Sequence, residues 1–360
     1  MVAARVTLVT GFPNYRAAHL VRHLLGGAGA VWAVVPPSRA TAAERFLERL
    51  SAEERARVRL FVGDPSAIDM GLSGAEYREL AASVECIQHL EQAPSENRES
   101  CEVINIGGMR EVLELARVAE RLQAVVAHSS VTVSGDRVGR IEESELEVGQ
   151  RFPEASAATL ARAERMARQR MPRLPIVVLR TGQVVGPAAN GQIDTLEGVY
   201  LLILLILNSP QDLSSLLPRW GDAPLHVVPV DHLSVAAELA QRTPGAIGQT
   251  LHVTDSTPMT VRMAFNRCMK VRTRLAEEGF VMPALGKVLR RDGLVRDGLS
   301  SILWRPRTFI NATFRNVLYE TRVARETLGI ECPPLESYFE HLVRHVALTS
   351  ADPVGALPPG

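Results

Sequence analysis

Apolar positions recur along the first half of the chain in two alternating rhythms. Short runs rich in β-branched residues, Arg5–Thr10, Val31–Val35, Val58–Val62, Val84–Leu90, Ala124–Ser129 and Ile176–Arg180, predict buried strands. Between them lie stretches with helical spacing, Ala17–Leu25, Ala43–Leu50 and Met109–Leu122. In the last of these, Val112, Leu115, Ala116, Ala119 and Leu122 fall on one face. Strands that are apolar throughout and alternate with helices predict a parallel sheet covered on both faces. Gly26-Gly27 is placed to end the first helix with a left-handed cap.

The rhythm changes after residue 187. Pro187–Glu197 is polar and reads as a loop, Val199–Leu207 as a buried or pocket-facing helix, and Asn208–Asp222 as a second loop. Val227–Asp231 and Gln249–Val253 are expected to return to the sheet. The stretch 261–325 is basic, and Tyr338, Leu342 and Val346 mark a surface helix over Glu336–Val346 with one apolar stripe. The Pro/Gly-rich end reads as a frayed tail. The expected division is therefore residues 1–255 for an α/β sheet domain, with 187–225 contributing to a substrate lobe, 256–348 for a smaller α-rich C-terminal lobe, and 349–360 for the tail.

Composition narrows the function. The 360 residues carry 40 Lys and Arg against 40 Asp and Glu, so no global charge argues for nucleic acid. The four cysteines are far apart and make no zinc or disulfide pattern, and the nine histidines show no metal spacing. No basic flank precedes an apolar signal core, and the longest apolar run, Val199–Leu207, is too short to span a bilayer. A cytoplasmic protein is the expectation. Leu289, Leu294, Leu299 and Trp304 among the basic residues of 287–307 could touch a membrane surface, although a solvated helical face is the better account of them.

Candidate chemistry begins where the first strand meets a helix. Val6-Thr7-Leu8-Val9-Thr10-Gly11 runs into Phe12-Pro13, the setting of a dinucleotide-binding turn. Further segments follow in order: Gly63-Asp64, Ile87-Gln88-His89-Leu90, Asn105-Ile106-Gly107-Gly108, His128-Ser129-Ser130-Val131-Thr132-Val133, Arg180 to Gly186, and Val228-Pro229-Val230-Asp231. Together they resemble the extended short-chain dehydrogenase/reductase superfamily, in its fatty acyl-CoA reductase and thioester reductase (male sterility type) branch, over about residues 5 to 347. The resemblance implies a Rossmann-like doubly wound sheet, an NAD(P) cofactor and reduction of an acyl thioester or related carbonyl. It assigns Thr10, Gly11, Phe12, Pro13, Asn14, Arg16, Ala17, Arg39, Asp64, Leu90, Asn105 and Val184 to the cofactor side, and Tyr200 and Asp231 to the substrate side. For Tyr200 a plain core role is the alternative.

The chain departs from that pattern at several positions. Asn14 replaces the middle glycine that lets a pyrophosphate approach the backbone, although asparagine tolerates a left-handed turn. Arg16 could reach a phosphate or simply face solvent. Glu91 would set negative charge beside the pyrophosphate. Pro36 stands where an arginine for the adenosine 2′-phosphate is common, and Arg39 nearby could replace it or lie on the surface. Ser130 keeps the serine that would polarise the substrate carbonyl. Ser156 and Leu160 occupy the positions of the Tyr-x-x-x-Lys pair, which Gly149-Gln150-x-Phe152 and Ala163-Glu164 fix in register. Serine is a poor proton donor without a base, and leucine neither charges nor hydrogen-bonds. The two lysines, Lys270 and Lys287, lie far downstream.

Three readings follow. The chain is a degenerate reductase homologue that binds a dinucleotide, an acyl-type molecule or a protein partner; or an active NAD(P)H-dependent reductase using Ser130; or a non-redox enzyme in the same pocket. A hydrolase triad from His128, Ser129 and Asp231-His232 lacks the Gly-x-Ser-x-Gly elbow.

Overall fold

The computed structural model describes residues 5–93, 97–208, 221–280 and 315–351. Seven parallel strands form the main sheet: β1 (Val6–Thr10), β2 (Ala30–Val35), β3 (Val58–Val62), β4 (Cys86–His89), β5 (Ala124–Ser130), β7 (Ile176–Thr181) and β10 (Thr250–Val253). Their spatial order is β3-β2-β1-β4-β5-β7-β10. Each central strand is buried from end to end because helices cover both faces. The strand order reverses between β1 and β4, and in open α/β sheets ligands bind at that switch point, beyond the carboxyl ends of the strands.

Helices α1 (Tyr15–Leu25), α2 (Ala40–Leu47), α3 (Ala52–Ala56), α4 (Gly74–Ser83), α5 (Arg98–Cys101), α6 (Gly108–Val118), α7 (Ala155–Arg170) and α9 (Val230–Arg242) surround this sheet. Ser51 and Ser73 each open a helix with a reciprocal capping box, to Glu54 and Glu76. Residues Glu102–Gly107 form one π-helical stretch that leads into α6. Helix α6 ends at Val118, earlier than the periodicity to Leu122 predicts, because Ala119 is extended. The predicted left-handed cap at Gly26 is absent: Gly26 has φ −62° and ψ −22°, and continues the right-handed turn.

Val227–Pro229 returns not to the main sheet but to a two-stranded ribbon, with β8 (Gln183–Val185) beside β9 (Val227–Pro229). A second ribbon pairs β6 (Gly139–Ile141) with β11 (Val317–Tyr319). The α-rich lobe packs α8 (Val199–Asn208), α10 (Val261–Glu277) and α12 (Leu335–Ala351) around one core. Tyr338, Phe339, Leu342, Val343, Val346 and Ala347 are all buried there, while Glu336, Ser337 and His341 stay exposed, so α12 is the expected surface helix with a broad apolar face. The Glu143 carboxylate accepts from His252 N (2.9 Å), Val323 N (2.7 Å) and Ala324 N (2.9 Å). It thereby docks the N-terminus of α11 (Arg322–Leu328) on the sheet. The 287–307 stretch lies outside the described residues, as do most of the predicted 208–222 loop and the tail. No helix among the described residues is long and apolar enough to cross a membrane.

Under the active face, one buried charge cluster fixes α7. Arg180, next to the carboxyl end of the otherwise mostly apolar β7, is 1% exposed. Its guanidinium meets the Glu164 carboxylate of α7 through Nε (3.0 Å to both oxygens) and Nη2 (2.7 Å). Glu164 also accepts from Ser129 Oγ (2.8 Å) and Arg168 Nε (2.9 Å). Arginine can only donate, so the 3.2 Å contact of Arg180 Nη1 with His252 Nε2 makes that nitrogen the acceptor. His252 Nδ1 then donates to the Glu320 carbonyl (2.7 Å).

Candidate functional site

The turn after β1 retains the cradle geometry. Gly11 has φ +83°, and a Cβ there would come within 2.9 Å of the Leu90 carbonyl carbon and the Glu91 nitrogen. Only glycine fits that close approach. Phe12 is fully buried, edge-on to Phe46 at 5.0 Å, and Pro13 follows through a cis peptide. Ala17 is fully buried where α1 lies on the sheet. Asn14 is exposed and extended (φ −56°, ψ 153°), not left-handed, and its side chain caps nothing. Its backbone therefore needs no glycine. Its side chain nevertheless stands at the N-terminus of α1, where a pyrophosphate would lie.

Across this turn the chain supplies its own partners. Arg39 Nη1 donates to both Glu91 oxygens, at 2.9 and 3.1 Å. Arg39 ends a short 3-10 turn after β2, and Glu91 follows β4. Because β1 runs between those two strands, the ion pair bridges the carboxyl end of β1, over the Gly11 turn. Glu91 is 5% exposed, and burial raises its pKa, with Arg39 countering and Asp64 adding to the rise. Beside the bridge, Arg16 Nη2 donates to Gln92 Oε1 (2.6 Å), and Gln92 Nε2 donates to the His128 carbonyl (3.1 Å). The sequence treats Glu91 as a repulsive charge and Arg39 as a free cation. The structure joins them, and the neighbouring Gln92 holds Arg16.

Gly11 and Ala17 keep the geometry of a dinucleotide cradle. A phosphate that drew Arg39 away would leave the buried Glu91 carboxylate without its partner, a cost of about 3–5 kcal/mol for a buried pair that is set against the new phosphate contact.

The remaining cofactor-side residues also make contacts within the chain. Thr10 Oγ1 bonds His89 Nδ1 (2.8 Å) and accepts from Glu91 N (3.3 Å). Asp64 Oδ1 closes a local turn through Ser66 N (2.9 Å) and Ser66 Oγ (2.7 Å). Asn105 is buried in the π-helical stretch, accepting from Ala93 N (2.8 Å) and donating to Thr159 Oγ1 (2.9 Å). Leu90 is buried, and Val184 is partly buried on β8.

Ser130 closes β5, and its Oγ accepts from Thr132 N (3.2 Å) and Thr132 Oγ1 (2.9 Å). Helix α7 carries Ser156 in its first turn, half-buried. Leu160, also half-buried, packs with Phe152 against Val133, Leu146 and Ala161. It lines a small enclosed void with Glu91, Asn105 and Glu164. Leu160 is therefore helix core at the edge of the groove. A separate cavity of about 290 Å³ lies past Ser130, bordered by Thr132, Ser134, Ala157, His226, Arg315 and Tyr319. Tyr319 donates to or accepts from Ser134 Oγ (2.9 Å), and burial raises its pKa.

Tyr200 and Asp231 do not line that cavity. Tyr200 is fully buried, its hydroxyl accepting from Gly186 N (2.7 Å) and donating to the Gly191 carbonyl (2.8 Å). It pins the loop after β8. Asp231 opens α9 and accepts from Ala188 N (3.3 Å) and His232 N (3.0 Å). No hydrolytic triad assembles: His128 Nε2 meets Gln88 Oε1 (2.8 Å), and Ser129 Oγ is committed to Glu164. Among the described residues no cluster of His, Cys, Asp or Glu could hold a metal ion.

The strand order and the Gly11 turn define a Rossmann-type member of the extended short-chain dehydrogenase/reductase superfamily. The model of the NAD-binding male sterility protein family matches residues 9–237, and the chain belongs to that family. No curated protein sequence matches the chain significantly. Among solved structures, the terminal R domain of the myxalamid PKS-NRPS biosynthetic pathway is similar over 97% of this chain and 91% of that one, with TM-score 0.75 and 23% identity. The thiolation-reductase di-domain of an archaeal non-ribosomal peptide synthetase is similar over 95% of this chain and 75% of that one, with TM-score 0.70 and 14% identity. The UDP-glucuronic acid 4-epimerase of Bacillus cereus, solved with NAD, is similar over 95% and 96%, with TM-score 0.64 and 17% identity. At these identities the likeness establishes the fold.

Proposed function

We propose that this chain is a reductase-fold protein that does not perform standard hydride transfer, and that acts by binding an acyl-type small molecule or a protein partner. The observation that carries this reading is the Arg39–Glu91 pair across the carboxyl end of β1. Ser156 and Leu160 support it independently. Neither places a tunable phenol and ammonium one helical turn apart, as proton delivery to a reduced carbonyl requires. The 290 Å³ cavity past Ser130 offers a mixed polar and apolar lining for a small ligand.

A second reading, reduction of an acyl thioester with Ser130 polarising the carbonyl, draws on the likeness to the R domains over nearly the whole chain. The two part in one assay. Purified protein is mixed with NADPH and a long-chain acyl-CoA, and absorbance of the nicotinamide is followed. The first reading expects no consumption above a no-protein control. Steady consumption, abolished by Ser130→Ala, establishes the second.

A further inference from the structure

One ion pair, Arg39–Glu91, spans the carboxyl end of β1, and the floor beneath it is kept. Gly11 keeps the turn, Ala17 keeps the helix close, and α1 still presents its N-terminus. The Arg39 side chain is one-quarter exposed and hydrogen-bonds to Glu91, whereas Glu91 is almost wholly buried. Arg39 stands after β2, on the side of the groove where an adenosine ribose lies in doubly wound folds. A guanidinium there offers forked donors that match a phosphate as well as a carboxylate.

We infer that Glu91 is an internal anion latch: its carboxylate occupies the guanidinium of Arg39 in place of a ribose 2′-phosphate, and removing it uncovers a site for 2′-phosphorylated adenosine nucleotides. The inference rests on the proposed function, since it explains how the fold is kept from its dinucleotide. It also assigns direction. The uncovered site prefers 2′,5′-ADP to 5′-AMP, because only the former carries the phosphate that substitutes for Glu91. Arg16 is engaged by Gln92, so the preference is assigned to Arg39.

The test uses the full chain, with Glu91→Ala and Glu91→Gln compared with wild type by isothermal titration against 2′,5′-ADP and 5′-AMP. The glutamine variant keeps the side-chain shape, so it serves where the alanine variant melts early. Wild type is expected to bind neither nucleotide at micromolar concentration. Either variant is expected to bind 2′,5′-ADP at least about tenfold tighter than wild type and tighter than 5′-AMP, in line with 1.4 kcal/mol per decade. Adding Arg39→Ala is expected to abolish the preference. Folded variants that gain no 2′,5′-ADP binding, or that gain it equally for 5′-AMP, overturn the latch while leaving the proposed function standing. Micromolar binding of 2′,5′-ADP by wild type overturns the latch and also removes the main support of the proposed function.

Discussion

Glu164→Ala tests how the scaffold around the groove is held. The substitution removes the acceptor of four donors: Arg180 Nε and Nη2, Arg168 Nε and Ser129 Oγ. Arg180 is 1% exposed and cannot reach water without opening β7. Its remaining partners, the Glu145 carbonyl (2.6 Å) and His252 Nε2, are neutral. An uncompensated buried charge costs about 3–5 kcal/mol. With a urea slope of about 3 kcal/mol per molar, the unfolding midpoint falls by roughly 1–2 M, followed by far-ultraviolet circular dichroism. Replacing both partners, Glu164→Leu with Arg180→Met, removes the stranded charge as well as its partner, so the double variant is expected to lose less than Glu164→Ala alone. A midpoint drop under about 0.3 M for Glu164→Ala contradicts the reasoning. So does a double variant that loses as much as the two single ones added together.

The buried His89 gives a pH prediction with a definite sign. Burial lowers its pKa from 6.5 to about 4, so between those values the folded chain binds fewer protons than the unfolded one. Its contribution is fully present above pH 6.5 and fades as pH falls toward 4. About 2 kcal/mol is lost from pH 7 to pH 5, and the difference between the wild-type and His89→Asn urea profiles isolates it. Parallel profiles would sink the assignment. Ser156→Tyr with Leu160→Lys restores the missing pair on α7, yet is expected to remain inactive toward NADPH and long-chain acyl-CoA while Arg39–Glu91 bridges the groove. Turnover by that variant alone would show that the bridge is not the barrier.

The sheet was legible because the strands are short runs rich in β-branched residues that alternate with stretches of helical periodicity. The ribbon at Val227–Pro229 was not. Three apolar residues carry no sign of which strand they will pair with. In helix α12 the buried Phe339, Val343 and Ala347 widen the stripe expected from Tyr338, Leu342 and Val346. At the site, Gly11, Asn14, Glu91, Ser156 and Leu160 could be flagged one at a time from type and position. Their pairing could not. Arg39 and Glu91 are separated by 52 residues, and only the β4-β1-β2 order brings them together. Glu164 had a readable signal that went unused: an arginine inside an apolar strand needs a buried anion. Asn14 was read as tolerating a left-handed turn because its side chain permits one. The backbone instead remains extended, as the first residue before a helix usually is.

The central claim is that the chain's own ion pair holds the groove against a dinucleotide. Titrating wild-type protein with NADPH and following nicotinamide fluorescence tests it most directly. No saturation is expected through the micromolar range. Saturable quenching of the wild type with micromolar affinity would contradict it.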